Sequence, residues 1–427
     1  MRPCARIPHA NLRLTRRSVL LFSLLLPACN VGIQRWESGP PTATPPPAAS
    51  RTPSPVRTPS SASPSLATVT APRPSPTGAP SPTGPVALRV ETLLTGLEAP
   101  WEVTFAPDGR LLLTERPGRV RLVVNGQLRT QPALTLPVAA VGEGGLLGLA
   151  LHPDFSRTGW VYLYYTYQTD QLWNRVVRYR LADDQLVEPQ VILDRIPGAS
   201  IHDGGRIAFG PDGKLYVTTG DARDPEAAQD LASLAGKILR LEPDGSLPPD
   251  NPLPGSPVWT YGHRNPQGLA WTNDGRLYAT EHGPTGDLGL AAHDEVNLIE
   301  PGKNYGWPLV VADLVRRPLP DAVPPVAQSG QTTWAPSGAT FVRAGSIPQW
   351  QGNLLFAGLR SQALWRLVLT PAGRSAVQLE ALYQGEFGRL RTVVEGPDGA
   401  IYLLTSNRDG RGNPRAGDDR LVRIAPA

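Results

Sequence analysis

The chain reads as an all-β protein: a six-bladed β-propeller with four antiparallel strands per blade, preceded by a disordered N-terminal tether. Three observations point there. From Val86 onward, short runs rich in Val, Leu, Tyr and Thr, such as 110–114, 160–165, 214–218 and 400–404, are broken by Gly, Pro and Asp. They read as strands between tight turns, and no long stretch carries the 3.6-residue apolar period of a helix. A turn signature also recurs, at Pro107-Asp108-Gly109-Arg110, Pro211-Asp212-Gly213-Lys214, Asn273-Asp274-Gly275-Arg276 and Pro397-Asp398-Gly399-Ala400. Asp-Gly supplies the positive-φ residue that a hairpin turn needs. Finally, the four aspartates stand 104, 62 and 124 residues apart, which fits a unit of about 50–60 residues repeated about six times. Two β-sandwiches would supply the strands but not the period. One helix is expected, over roughly Pro225 to Ala235.

Residues 1–29 read as an export signal. Arg13, Arg16 and Arg17 precede the apolar run 18–26, which ends in Leu26-Pro27-Ala28-Cys29. The run is too short to span a bilayer, which takes ~20 residues. Thr15-Arg16-Arg17-Ser18-Val19-Leu20 resembles a twin-arginine signal, and Leu26–Cys29 resembles a bacterial lipobox with Pro27 an uncommon second residue. Cleavage there would make Cys29 a lipidated first residue; the alternative is an ordinary signal peptide with an incidental cysteine. Residues 30–85 read as a linker: positions 39–85 hold 15 Pro, 8 Ser and 8 Thr, a composition that cannot bury enough apolar surface to fold. Extended at about 3 Å per residue, it could hold the body ~100 Å or more from a membrane. Residues 86–427 are the propeller.

Charge divides at the same boundary. Residues 1–85 carry nine Arg, no Lys and one acid, Glu37, whereas the remainder holds 32 basic and 36 acidic residues. A mildly acidic body argues against nucleic acid as a partner. Cys4 and Cys29 are the two cysteines, so the body forms no disulfide and no thiolate metal site.

Five histidines, His152, His202, His263, His282 and His293, lie in Gly/Pro/Asp-rich loop contexts of the body, and no two have zinc-site spacing. Hard oxygen ligands are plentiful, which favours calcium. Four segments are informative together: 142–155 (GEGGLLGLALHPDF); His202-Asp203-Gly204-Gly205-Arg206 with Thr219-Gly220-Asp221; 261–270 (YGHRNPQGLA); and Glu281-His282-Gly283-Pro284 with Asp294-Glu295-Val296-Asn297-Leu298 and Asn304-Tyr305-Gly306-Trp307-Pro308. In order, over roughly 90–425, the sequence resembles the soluble quinoprotein glucose dehydrogenases and aldose sugar dehydrogenases (the glucose/sorbosone dehydrogenase-like group), whose cofactor is pyrroloquinoline quinone (PQQ).

The resemblance implies PQQ- and calcium-dependent oxidation of an aldose at C1. His202 would be the general base, apt because an imidazole titrates near working pH. Asp221 would accept from its other ring nitrogen. Arg264 would stabilise charge on the quinone oxygen, with Asn265 binding the cofactor beside it. The carbonyls of Gly283 and Pro284 would hold the calcium that binds PQQ. Arg389 and Arg391 would pair with cofactor carboxylates, and Trp334 would pack near the ring. Glu295 and the Tyr305 carbonyl match a second, structural calcium site. Three positions depart from the glucose enzymes: Arg360 replaces a cofactor-contacting lysine, Glu143 a glutamine and Ile201 a sugar-contacting aspartate. The last points toward the broader aldose group.

Singly, these residues have plainer explanations. His202 could be a hydrogen-bonded loop histidine, Asp221 a turn cap, and the arginines surface or strand-edge cations. Arg206 reads as structural, His152 and Asp154 as a turn, and Trp101, Trp271 and Trp365 as blade core. Two other functions compete: a non-catalytic binding propeller, which predicts loss of the base or the arginines, and a calcium-dependent lactonase, which needs carboxylate and asparagine side chains converging on the ion. There is no haem-attachment motif, so electrons would leave to an external acceptor.

Overall fold

The computed structural model describes residues 86–427, except Ala344; the expected signal peptide, Cys29 and the linker lie outside the described residues. Six antiparallel sheets, each four strands deep, follow one another around an axis. In the first of them the outermost place is shared by two short strands, Gln127–Leu128 and Leu134–Thr135, which both pair with Arg119–Val124. The innermost strands of the six are Pro100–Phe105, Leu146–Leu151, Ile207–Phe209, Pro266–Trp271, Pro336–Phe341 and Leu390–Glu395, and each contacts a neighbouring blade of the ring. Ring closure is antiparallel: Leu88–Leu94 supplies the outer strand of the last blade and pairs with Leu421–Pro426, with Leu88 opposite Pro426. One element from each end of the fold completes a single sheet, so opening the ring would expose a strand edge.

The Asp-Gly signature joins the first and second strands of blades one, three, four and six, which accounts for the intervals of two, one and two units. In each turn the glycine has φ between +73° and +87°. At the first, the Asp108 carboxylate accepts from the Arg110 amide and the Gly109 amide donates to the Ala106 carbonyl. Blades two and five use longer connections there, containing a single helical turn at Phe155–Thr158 and a 3₁₀ turn at Pro348–Trp350.

The core lies between blades. Trp101 is 1% exposed and the strands around Leu112, Leu163, Val217, Phe356 and Leu403 are fully enclosed. Trp271 and Trp365 pack in blade clusters as expected. Arg206 is structural: it forms an ion pair with Glu102, its Nε donates to the Gln267 carbonyl (2.7 Å), and its guanidinium stacks on Trp101. His152 Nδ1 accepts from the Asp154 amide, making the turn anticipated there.

The expected helix over 225–235 is corrected to one 3₁₀ turn, Pro225–Ala228. The buried Lys237 ammonium donates to the carbonyls of Ala227, Ala228 and Ala235 at 2.9, 3.1 and 2.5 Å. The Ala228 carbonyl also accepts from the Gly262 amide and the Ala227 carbonyl from the Asp230 amide, so the segment is held as successive turns around the cation rather than as a helix. No helix among the described residues is long and apolar enough to cross a membrane.

Candidate active site

A cavity of about 550 Å³ opens at one end of the axis. The first strand of every blade starts at this end and the second strand finishes here, so the connections leading into and out of them converge on it. Thus Glu143, His202, Arg264 and Arg389 come from loops entering blades two, three, four and six, while Arg116, His282, Arg360 and Asp409 follow second strands. Arg116 and Arg411, 295 positions apart in sequence, line one space.

His202 is 5% exposed. Its Nδ1 lies 2.7 Å from Asp221 Oδ1, and Arg264 Nη2 donates to its Nε2 at 2.7 Å. A guanidinium can only donate and a carboxylate only accept, so Nδ1 carries the proton and Nε2 its lone pair. That is the tautomer a base facing the cavity requires. Asp221 is itself held, its Oδ2 accepting from Trp307 Nε1 at 2.8 Å and its Oδ1 from the Arg223 amide. His202 adopts φ +64°, the left-handed region that costs a non-glycine residue ~1–2 kcal/mol. Two contacts hold it there. Its amide donates to Glu143 Oε2 (3.0 Å), and Gly220 packs so closely behind that a Cβ on it would lie 1.8 Å from the His202 carbonyl oxygen.

Cations dominate the walls. Arg389 forks onto Asp409 Oδ2 at 3.0 and 2.8 Å. Arg391 Nη1 donates to Gln267 Oε1 at 2.7 Å, but its buried Nε has no partner, nor has the Nε of Arg264. Burial pushes the Arg391 guanidinium down to about 9 against the pull of Asp409, the mark of a buried cation short of counter-charge. Arg360 is exposed at the cavity edge, and among the described residues no hydrogen bond or ion pair holds its side chain. Glu143 is gripped from both sides, since Arg116 donates to the carbonyls of Gly142 (2.5 Å) and Gly144 (3.2 Å). Burial opposes ionisation of Glu143, but His282, the Arg411 guanidinium 2.6 Å away and the His202 amide outweigh it, and its carboxyl falls to about 2. Burial drops His282 to about 3. It is therefore neutral at working pH, which leaves Arg411 and the amide as what holds Glu143 ionised.

Behind the cavity a small void of about 10 Å³, room for roughly one small ion or water, is bordered by Gly283, Pro284, Glu281, Glu295, Tyr305 and Trp307. The expected primary and secondary calcium residues therefore meet around one small space. The Gly283 backbone reaches it because a Cβ there would lie 2.0 Å from the Ala292 carbonyl oxygen, and Asp294 fixes the loop by accepting from the Gly283, Trp334 and Ala335 amides. Burial and the adjacent Glu281 push Glu295 up to about 8. Asn297 Oδ1, buried beside it, has no partner. Among the described residues no group of three His, Cys, Asp or Glu side chains is placed to hold a metal ion.

Two expected cofactor contacts are placed differently. Trp334 is corrected from cavity wall to blade core: its ring packs 5.5 Å from Phe356 and 5.3 Å from Trp365, and Thr333 and Ala335 face the cavity instead. The hold of Asp294 on its amide turns the indole inward. Asn265 is fully buried behind the wall. Its Oδ1 accepts from the Gly204 amide at 3.0 Å and its Nδ2 donates to Glu143 at 3.4 Å, so it braces the loops on either side of His202. Trp307, Arg116, Glu281, Asp287, Asp294 and Asp409 were not singled out from sequence. Trp307, Glu281 and Asp294 had a signal, their places in the segments 304–308, 281–284 and 294–298; Arg116, Asp287 and Asp409 are recognisable only once folding has set them against their partners.

Asp203, next to His202, carries a stability prediction. Burial raises its carboxyl to about 6, against the hydrogen bonds from Asn174 and the Ala199 amide, and its Oδ2 is unpaired. The unfolded chain ionises it near ~3.9, so the folded state carries an ionisation penalty that is absent below about pH 4 and complete above about pH 6, ~3 kcal/mol at full size. Asp203→Asn is expected to stabilise the protein by up to ~3 kcal/mol more at pH 7.5 than at pH 4, read as the difference in Tm shift. Equal shifts at both pH values would contradict the assignment.

Fold and site together define a propeller whose axial cavity joins a buried, oriented histidine to a wall rich in arginines. Residues 97–422 match the family model described as Glucose / Sorbosone dehydrogenase, and the chain belongs to that family, a family of oxidoreductases. A candidate glucose dehydrogenase of Thermus thermophilus is 50% identical, with a TM-score of 0.73 over 79% of this chain and 100% of that one. The PQQ-bound aldose sugar dehydrogenase of Streptomyces coelicolor is 41% identical, with a TM-score of 0.71 over 80% and 99%. The aldose sugar dehydrogenase YliI of Escherichia coli is 33% identical over 76% of this chain and 92% of its own length.

Proposed function

We propose that the protein is a PQQ- and calcium-dependent aldose dehydrogenase that oxidises the sugar at C1 to the lactone and passes the electrons to an external acceptor. The observation that carries this reading is His202, held by Asp221 in the tautomer of a base and facing a cavity whose Arg264 and Arg391 each keep a buried nitrogen without a partner. Unsatisfied buried nitrogens cost ~1–3 kcal/mol each, and a planar polycarboxylate answers them. PQQ is such a molecule, and it is the group named for the Streptomyces coelicolor relative. Gly283 and Pro284 would offer their carbonyls to a calcium ion, and Glu295 and Tyr305, which border the same small space, would serve that one ion rather than a second.

PQQ, when bound, supplies the two-electron acceptor for the hydride of C1. His202 Nε2 takes the proton of the C1 hydroxyl, which displaces Arg264 Nη2 from that nitrogen. Asp221 stabilises the imidazolium that results. Arg264, backed by Asp287, remains free to donate to an oxygen that gains negative charge. Ile201 lines the cavity without a polar group, which fits several aldoses better than one.

The metal assignment has a direct test. Chelation is expected to abolish PQQ-dependent dye reduction by aldoses, and added calcium to restore it; full activity in excess chelator would contradict it. We also propose export and lipid anchoring at Cys29, supported by Arg16-Arg17, the run 18–26 and the Leu26–Cys29 segment. A mature protein whose mass retains residues 1–28 would refute cleavage there.

A further inference from the structure

His282 is the one histidine around the cavity that the reading above leaves without work. It stands in the wall between the axial cavity and the small void beside Gly283 and Pro284, bordering both. Glu143, Arg391, Arg264 and His202 all lie within electrostatic reach of its ring, so it sits centrally among the residues that would surround a bound cofactor. Its backbone is committed, the amide donating to the Asn265 carbonyl at 3.2 Å and the carbonyl accepting from Arg264 Nη1 at 3.2 Å. Those two bonds set where the ring goes. Yet its Nε2 is buried and meets no donor or acceptor of the described residues. His202 and His263, which are more deeply enclosed, have both ring nitrogens engaged.

A buried polar nitrogen left unpaired is destabilising, and folded chains rarely tolerate one without a purpose. Among the described residues no group serves it, which leaves a bound molecule or a water as its partner. We infer that His282 is a cofactor-recognition residue, whose Nε2 hydrogen-bonds a polar atom on the inner edge of the bound quinone, between the positions served by Arg264 and Arg391. This rests on the PQQ reading and extends it to a residue for which neither fold nor family match supplies a role. An imidazole suits the place: it offers a directed hydrogen bond and adds no further cation to a wall already rich in them.

The test uses the purified protein in saturating calcium, comparing His282→Leu and His282→Gln with the parent for PQQ affinity by calorimetry and for the absorption spectrum of bound PQQ. His282→Leu is expected to weaken PQQ binding about ten-fold, the effect of losing one such bond, and to shift the bound spectrum, while His282→Gln recovers most of the affinity. Calcium affinity without PQQ is measured alongside and is expected to be unchanged in both variants. A Leu variant with the parent's thermal midpoint, PQQ affinity and spectrum would overturn the inference, since Nε2 would then serve only a water. A fall in calcium affinity matching the fall in PQQ affinity would overturn it too, by making His282 part of the metal loop. If the unsubstituted protein binds no PQQ, the dehydrogenase reading fails first and this one with it.

Discussion

Replacing His202 by alanine is expected to leave a folded protein that binds PQQ and calcium but turns aldoses over at least ~100-fold more slowly. General-base help is worth ~10²–10⁴-fold, and no other cavity group is placed to provide it. Glu143 is ionised and close, but its Oε2 is committed to the His202 amide and the Asn265 side chain and its Oε1 to Arg411. His282 is neutral at working pH, with burial lowering its proton affinity further than a base can use. The loss should fall on kcat with little change in KM, because His202 acts on the hydroxyl proton in the transition state rather than on sugar binding. The positive φ of residue 202 is no obstacle, since alanine inherits the same two restraints from Glu143 and Gly220. Turnover equal to the parent's would place the base elsewhere.

The second large effect is expected at Arg391. It is 6% exposed, its Nε is unpaired, and its nearest acid, Asp409, lies 3.9 Å away and is already taken by Arg389. Arg391→Met should therefore act with opposite signs on two measurements. PQQ affinity should fall by ~30-fold or more, the scale of removing one partner from a buried charge pair. The cofactor-free protein, relieved of an under-compensated buried cation, should melt no lower than the parent, because a hydrophobic group of similar volume is tolerated where a buried ion lacks counter-charge. Arg389→Met makes the contrast: it strands Asp409, which is 2% exposed as a side chain, so the cofactor-free protein should lose stability as well. Parallel behaviour of the two variants in the melting experiment would contradict this division of roles.

What was legible in the sequence follows from how each feature is encoded. The propeller was readable because its turns are chemical: Asp-Gly between first and second strands marks four of six blades, and the missing two are those where Phe155–Thr158 and Pro348–Trp350 replace the tight turn. The helix over 225–235 was misread because the carbonyls that would build it are drawn to Lys237, nine or ten residues onward from two of them, a contact no local pattern announces. At the site, the residues within loop motifs were found. Their supports were not, since Trp307 reaches Asp221 across 86 positions and Arg411 reaches Glu143 across 268. Trp334 was misplaced because nothing in Trp334-Ala335-Pro336 reveals that Asp294 turns its amide.

The central claim is that His202 faces a two-electron acceptor across the sugar's C1. The most direct measurement is anaerobic addition of aldose to the protein loaded with PQQ and calcium, following the cofactor's absorption and the fate of the sugar. The account predicts complete bleaching of the oxidised cofactor, one lactone formed per PQQ bound, and the same end point reached at least ~100-fold more slowly with His202→Ala. An unchanged spectrum with intact sugar, or bleaching at the parent's rate in the variant, would contradict it.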